Sequence, residues 1–491
     1  MKNHLHTCLF ITFTTVLLFF LTHCLFGFYA ETNDDLAFIW GMKGYVSLQP
    51  ITNFLYYHHG LAFVYAGLYE LTDKVAWYGW LMYFYLFIGS VLVYFILEEK
   101  EKPFWQNLLL YLAFFTTILY SQLVYFNFTR PAFLLIITSF LWALKREIDE
   151  NLYSANQVED YPNLFQKNIF NSSLAWLILF IIGFLTRPTT AYLSLTLLIP
   201  IGLYLAWQKK CLKSVSQRIF LPILVIILSF HLLQWATNTS DKQAIIDKQA
   251  GIAQLVNAKI AKNPELWTRR DSIIHKAAIY WLVGDKETLT KEQLSKYTFE
   301  GEVILNTTIL QKIPTVLKQL QIRIWQNYKP VLCWLFVLLG AGIWRLVALR
   351  KRSNESNLTE TNDQSLIAIL LFQLFFVVVL VGVNITMKMP NRVLEPLLLL
   401  NMLASSMVFF DASISRNVKV GAALGMLLLV YFPAKNTFVA TSSYQSSQTK
   451  RQEMITELNQ KIDDKTVVFT LPSAILLEDA HPLKPLNLSP T

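Results

Sequence analysis

The sequence predicts an all-α, polytopic transmembrane helical bundle, and three observations carry that expectation. Of 491 residues, 54% are hydrophobic and only 15% are charged, against about 25% charged in an ordinary soluble domain. Mean hydropathy is +0.40, and aromatic residues reach 14%, a bias expected where side chains meet lipid and its interface. Apolar residues also run unbroken for close to the ~20 residues that cross a bilayer as a helix. The alternating pattern of a barrel strand is absent.

Eleven such runs are expected, at about 8–29, 77–97, 104–122, 125–144, 170–186, 189–207, 219–236, 329–349, 365–386, 393–410 and 417–434. The first follows Lys2 and is longer than a signal peptide's core of roughly 7–15 residues. Within it, Leu21-Thr22-His23-Cys24 offers no small residue where lipoprotein cleavage needs one, so it reads as an uncleaved helix. The intervals 123–130 and 187–188 read as tight hairpins, with Pro131 and Pro188 suited to the first turn of the helix that follows.

Three segments outside the spans complete the chain. Segment 31–76 reads as a short helix from Asp35 to Tyr45, a loop at Ser47–Pro50, and a second apolar helix through Tyr69. The long loop 237–328 ends in an amphipathic helix. There Ile313, Leu317, Leu320 and Ile324 alternate with Lys312, Lys318 and Arg323, so it is expected to lie on the membrane surface. The tail from about Lys435 carries a polar helix near Gln448–Lys461 and a strand-like run, Thr466–Leu471. It is too small for a core of its own and is expected to dock on the outer loops. The chain thus divides into a bundle, 1–434, that includes the loops 31–76 and 237–328, and a short extracytoplasmic tail, 435–491.

Basic residues set the orientation. With the N-terminus cytoplasmic, Lys100, Lys102, Lys145, Arg146, Lys209, Lys210, Arg350, Lys351 and Arg416 fall at the inner face. The short outer loops hold only Lys43, Lys74, Arg130, Arg187, Lys388 and Arg392, so the positive-inside rule is met. The net charge of +9 is therefore an orientation signal and not a nucleic-acid footprint. Cys8, Cys24 and Cys333 lie in apolar runs and Cys211 in a basic loop, with no spacing that reads as a metal clip or a disulfide framework.

The same topology gathers candidate chemistry at the outer face. Asp34 and Asp35 follow the first span in Tyr29-Ala-Glu-Thr-Asn-Asp-Asp. They either cap the next helix or serve as a base: a carboxylate at a desolvated rim has a raised pKa and can take a proton from a hydroxyl near neutral pH. Phe126-Asn-Phe-Thr-Arg130-Pro and Thr186-Arg187-Pro place arginines in turns between apolar helices. Charge at that depth is costly and usually functional, with snorkelling to lipid headgroups as the bland alternative. Met387-Lys388-Met-Pro-Asn-Arg392-Val-Leu-Glu395 adds two cations and an acid. Arginine's planar fork suits phosphate oxygens. Glu395 either pairs with Arg392 or contacts substrate. His58-His59 is weak metal-site evidence, since adjacent histidines do not share a helix face, and is taken as a substrate contact. Trp267, Trp281 and Trp325 read as interfacial anchors.

An acidic pair just after the first span, outer-facing arginines at later turns and a long outer loop resemble the GT-C superfamily. These are integral membrane glycosyltransferases that use polyprenyl-phosphate-linked sugars. The Asn33-Asp34-Asp35 opening, the Asn391-Arg392 turn and the tail run Val467-Val-Phe-Thr-Leu-Pro472 resemble its bacterial members linked to surface polysaccharide modification. The resemblance implies an inverting transfer in the bacterial inner membrane to a glycan, lipid or protein acceptor. Asp34 or Asp35 would be the base, and Arg130, Arg187, Lys388 and Arg392 would hold the donor phosphate. Some members place a divalent metal by such acids and others do not; four nearby cations make one less necessary here, so no cofactor is expected. The alternatives are a transporter or flippase of a lipid-linked saccharide, or an O-antigen-type polymerase or ligase.

Overall fold

The computed structural model describes residues 2–32, 34–44, 50, 52, 54, 59–99, 102–155, 172–237, 267–273, 309–351, 359–386, 389–410, 416–461 and 482–483. These residues are almost wholly helical. Helix α1 (Lys2–Phe26) leads through strand β1 (Tyr29–Ala30) to α2 (Asp34–Met42), α3 (His59–Leu71) and α4 (Trp77–Leu97). Helix α5 (Phe104–Val124) runs into strand β2 (Tyr125–Phe126) and then α6 (Thr129–Ala155). After these come α7 (Ser172–Thr186), α8 (Pro188–Gln208) and α9 (Leu212–Ala236). The remainder is α10 (Ile309–Asn327), α11 (Lys329–Lys351), α12 (Thr359–Thr386), α13 (Asn391–Phe410), α14 (Arg416–Leu429) and α15 (Tyr431–Lys461).

Among the described residues, seven helices are long and apolar enough to cross a membrane: α1, α4, α5, α8, α9, α12 and the run Val418–Lys450 of α14 and α15. The protein is therefore read as a multi-pass membrane protein. The other four expected runs correspond to α6, α7, α11 and α13; among the described residues of α7 and α11 the apolar stretches cover Leu174–Thr186 and Lys329–Gly340. Helix α6 ends in Lys145, Arg146, Glu147, Asp149 and Glu150.

Helix α6 is the axis of the molecule. It packs against α4, α7, α8 and α13, and from Phe128 to Leu141 every residue is buried. Close approach is possible because glycines face it: a Cβ on Gly183 would stand 2.8 Å from Ile136 Cγ1 and 3.1 Å from the Ala132 carbonyl oxygen. Small residues at helix contacts are how membrane helices gain packing without a hydrophobic drive between them. The outer helices show the reverse pattern: Phe13 and Phe20 on α1, Leu224 and Trp235 on α9, and Leu371 on α12 all point away from the protein.

Two expectations change in detail. The apolar stripe of α10 is Ile313, Val316, Leu320 and Ile324, not the line through Leu317, which is 42% exposed. The stripe turns because the helix lies against α12, α11 and α15, with Arg323 Nη1 donating to the Met389 carbonyl at 2.6 Å. Residue 435, read as the start of a tail, falls inside the continuous helix α15. Pro433 is its third residue, where a missing N–H costs nothing. The strand-like run Thr466–Leu471 lies outside the described residues.

Candidate active site

One short turn organises the end of the bundle where the predicted residues gather. Strands β1 and β2 pair in parallel, Tyr29 with Tyr125 and Ala30 with Phe126, and Glu31 N donates to the Phe126 carbonyl at 2.8 Å. This draws the Glu31–Asp35 segment alongside Asn127–Arg130. Each residue of that turn then holds a group from elsewhere in the chain. Asn127 Nδ2 donates to Asp35 Oδ2 at 2.9 Å and Phe128 N to Asp35 Oδ1 at 2.9 Å. Thr129 Oγ1 accepts a hydrogen bond from Arg187 Nη1, and the guanidinium lies 4.8 Å over the Phe128 ring. Arg130 pairs with Glu31 and Glu395.

The two aspartates have different fates. Asp35 is 1% exposed and accepts a third hydrogen bond from the Tyr78 hydroxyl at 2.8 Å. Burial pushes its pKa up to about 7, against the Tyr78 and Phe128 donors that favour the charged form; neighbouring Asp34 raises it further and Arg392 lowers it. Asp34, one residue earlier on α2, has 46% of its side chain exposed, and its Oδ2 lies 3.6 Å from Arg392 Nη2. That distance allows attraction without a tight hydrogen bond.

Arg130, expected as a donor-phosphate ligand, is fully buried, with each of its three nitrogens on a carboxylate. Nε and Nη2 donate to Glu31 Oε2 at 3.1 and 2.9 Å, and Nη1 donates to Glu395 Oε2. Glu395 also accepts from Ser121 Oγ at 2.9 Å and from the Tyr328 hydroxyl at 2.8 Å. Its ionic partner is thus Arg130 and not the nearby Arg392. Arg187 is half-buried and extended before Pro188, which occupies the first position of α8 as the sequence suggests. Lys388 and His58 lie outside the described residues, as does the side chain of His59, the first residue of α3.

Beside this network is an open cavity of about 320 Å³. Glu31, Arg130, Glu395 and Tyr328 form one side, and Asn436 and Tyr444 of α15 another. Helix α5 reaches it through a π-helical turn at Phe115–Leu119. A single wide turn of this kind shifts the side chains that follow and recurs at functional sites; here Thr117, Tyr120 and Ser121 line the cavity. Helix α15 packs along the same wall: Thr437 Oγ1 lies 3.1 Å from the Tyr120 hydroxyl, and the Tyr444 ring packs 5.2 Å from Tyr29.

No family model, curated protein or solved structure matches this chain. The site is therefore read from its own residues. Among the described residues, no three His, Cys, Asp or Glu side chains gather in a way that could hold a metal ion. Sequence reasoning missed Glu31, Tyr78, Asn127, Ser121 and Tyr328. Glu31 and Asn127 had a signal, since both stand inside the motifs that carry Asp34, Asp35 and Arg130. Tyr328 had none, being one of 22 tyrosines with nothing local to distinguish it.

Proposed function

We propose that the chain is an inverting membrane glycosyltransferase that moves a sugar from a polyprenyl-phosphate-linked donor to an extracytoplasmic glycan, lipid or protein acceptor. The observation that carries this reading is the loose pairing of half-exposed Asp34 with Arg392 at 3.6 Å. A carboxylate and a cation that are near each other, accessible and not consumed by one another suit a base and a phosphate ligand.

In this reading Asp34 takes the proton of the acceptor hydroxyl as its oxygen attacks the anomeric carbon. The bond from that carbon to the phosphate oxygen breaks, and the electron pair leaves with the polyprenyl phosphate. Arg187, Arg392 and Lys388 meet the growing negative charge, and they supply what a divalent metal would otherwise bring. Asp35 has a suitable pKa but is enclosed by three donors, and geometry takes precedence over pKa. It is assigned as a positioning residue that fixes Asp34 at the start of α2. Arg130 is assigned likewise to hold Glu31 and Glu395. The chain would sit in the bacterial inner membrane, N-terminus inside, with α6, α7, α11 and α13 joining the seven long apolar helices as spans.

The test compares cells carrying wild type or Asp34→Asn, scored by mass spectrometry of envelope glycoconjugates. A sugar unit present with wild type falls by about 10²–10⁴-fold in transfer rate with the variant, the range a general base contributes. Unchanged transfer at wild-type protein level removes Asp34 as the base.

A further inference from the structure

Glu31, three residues before Asp34, and Asn391, next to Arg392, line the 320 Å³ cavity, whose chemistry differs from that of the rim. We propose that this cavity binds a single neutral, hydroxyl-rich ring, a sugar unit, and excludes phosphate. The role of that ring in transfer rests on the glycosyltransferase reading; the binding itself does not.

Charge separates the two ligands. The charged lining groups are the carboxylates of Glu31 and Glu395 and the guanidinium of Arg130, a formal charge of −1. The one cation is already held on both carboxylates. A phosphate entering this wall would meet net repulsion at reduced dielectric. Rim cations Arg187 and Arg392 are not among the lining residues, so phosphate and ring have separate places.

Unsatisfied polar atoms point the same way. Thr117 is 3% exposed and lines the cavity, yet its Oγ1 has no partner among the described residues; Asn391 Oδ1, also lining it, has none either. A buried polar group left unpaired costs free energy that an incoming hydroxyl restores. Four tyrosines, Tyr120, Tyr125, Tyr328 and Tyr444, add rings with a polar tip, a surface that meets both faces of a sugar. The volume is near the roughly 300 Å³ lower end of small-molecule pockets, which fits one ring and not an oligosaccharide.

The experiment is saturation-transfer NMR on the full chain in lipid nanodiscs, with a panel of neutral monosaccharides and inorganic phosphate as probes. Saturation is expected to reach at least one neutral sugar and to persist in equimolar phosphate. Ala440→Phe, which fills the cavity from α15, is expected to abolish it, and Ser443→Phe, on the exposed side of the same helix, to leave it intact. Thr117→Val, nearly isosteric, is expected to weaken binding about 2- to 10-fold and serves alone if Ala440→Phe does not fold. Displacement by phosphate, or wild-type binding by folded Ala440→Phe and by Thr117→Val, overturns the proposal. In a transfer assay, a raised KM of Thr117→Val for the lipid-linked donor assigns the donor's ring to the cavity, and a raised KM for the acceptor assigns the acceptor's. Neither KM changing removes the ring's role in transfer and leaves the binding to the NMR result. Sugar binding that survives alongside full transfer by Asp34→Asn leaves the cavity assigned and removes only the base.

Discussion

Asp34 and Asp35 differ by one position on a helix and by nearly all their exposed surface, and that difference makes a pH test possible. An aspartate titrates near 3.9 when unfolded, whereas Asp35 in the fold titrates at about 7. Below pH 4 it is protonated in both states and adds no penalty. As pH rises from 4 to 7, the unfolded chain gives up the proton while the folded chain keeps it, so folding loses stability across that window and levels off above it. The loss is about 4 kcal/mol at most, at 1.4 kcal/mol per pH unit. Asp35→Asn removes this dependence. The melting-temperature difference between wild type and Asp35→Asn is therefore expected to change between pH 4 and 7 and to be flat above; a constant difference sinks the assignment. Arg130 gives a second prediction. Arg130→Met leaves two carboxylates without their cation and is expected to cost about 3–5 kcal/mol, read as a lower melting temperature in detergent. Adding Glu31→Gln and Glu395→Gln restores much of it. Charge in an apolar context made the acids and arginines legible in the sequence. Which acid would pair with which base was not, because Glu395 stands three residues from Arg392 in the chain and bonds Arg130 across 265 residues.

Helix α6 decides whether the site exists at all, because its first turn carries Arg130 and its body meets four other helices. Gly183→Ala is expected to push α7 from it and cost about 1–3 kcal/mol, since the new methyl meets a backbone oxygen as well as a side chain. Gly340→Ala, with nothing within 4 Å of the added carbon, is expected to be neutral. Thermal unfolding of the pair separates a packing effect from a general glycine effect. Helix positions were legible from hydropathy because spans must be apolar and long. The π-helical turn in α5 and the two-residue strands were not, since neither has a composition of its own. The run-on of α15 was hidden because Pro433 and Lys435 resemble a helix end in sequence, although proline also opens helices.

At the scale of the whole molecule, the described residues Glu31, Asp34, Asp35, Arg130, Arg187, Arg392 and Glu395 gather at one end of the bundle, while Lys145, Arg146 and Arg218 lie with Glu147 and Glu150 away from it. Lys145 Nζ there donates to the carbonyls of Phe95 and Ile96 at 2.9 and 3.0 Å, closing the last turn of α4. The proposed orientation puts the first end outside and the second inside. In a variant whose native cysteines are replaced, Lys74→Cys is expected to react with a membrane-impermeant maleimide in intact spheroplasts, and Lys210→Cys only after lysis. Both positions are exposed, so the reverse pattern would invert the molecule and leave the proposed site on the wrong side.

The Arg130 ion triad also imposes an order on biosynthesis. Glu31 precedes the arginine by 99 residues, but Glu395 follows it by 265. A ribosome therefore delivers the buried cation with one counter-charge in hand and synthesises more than half the polypeptide before the second arrives. Until then Glu31 balances the charge of the guanidinium, but Nη1 lacks the acceptor that Glu395 later brings, so a truncated product leaves a buried donor unsatisfied.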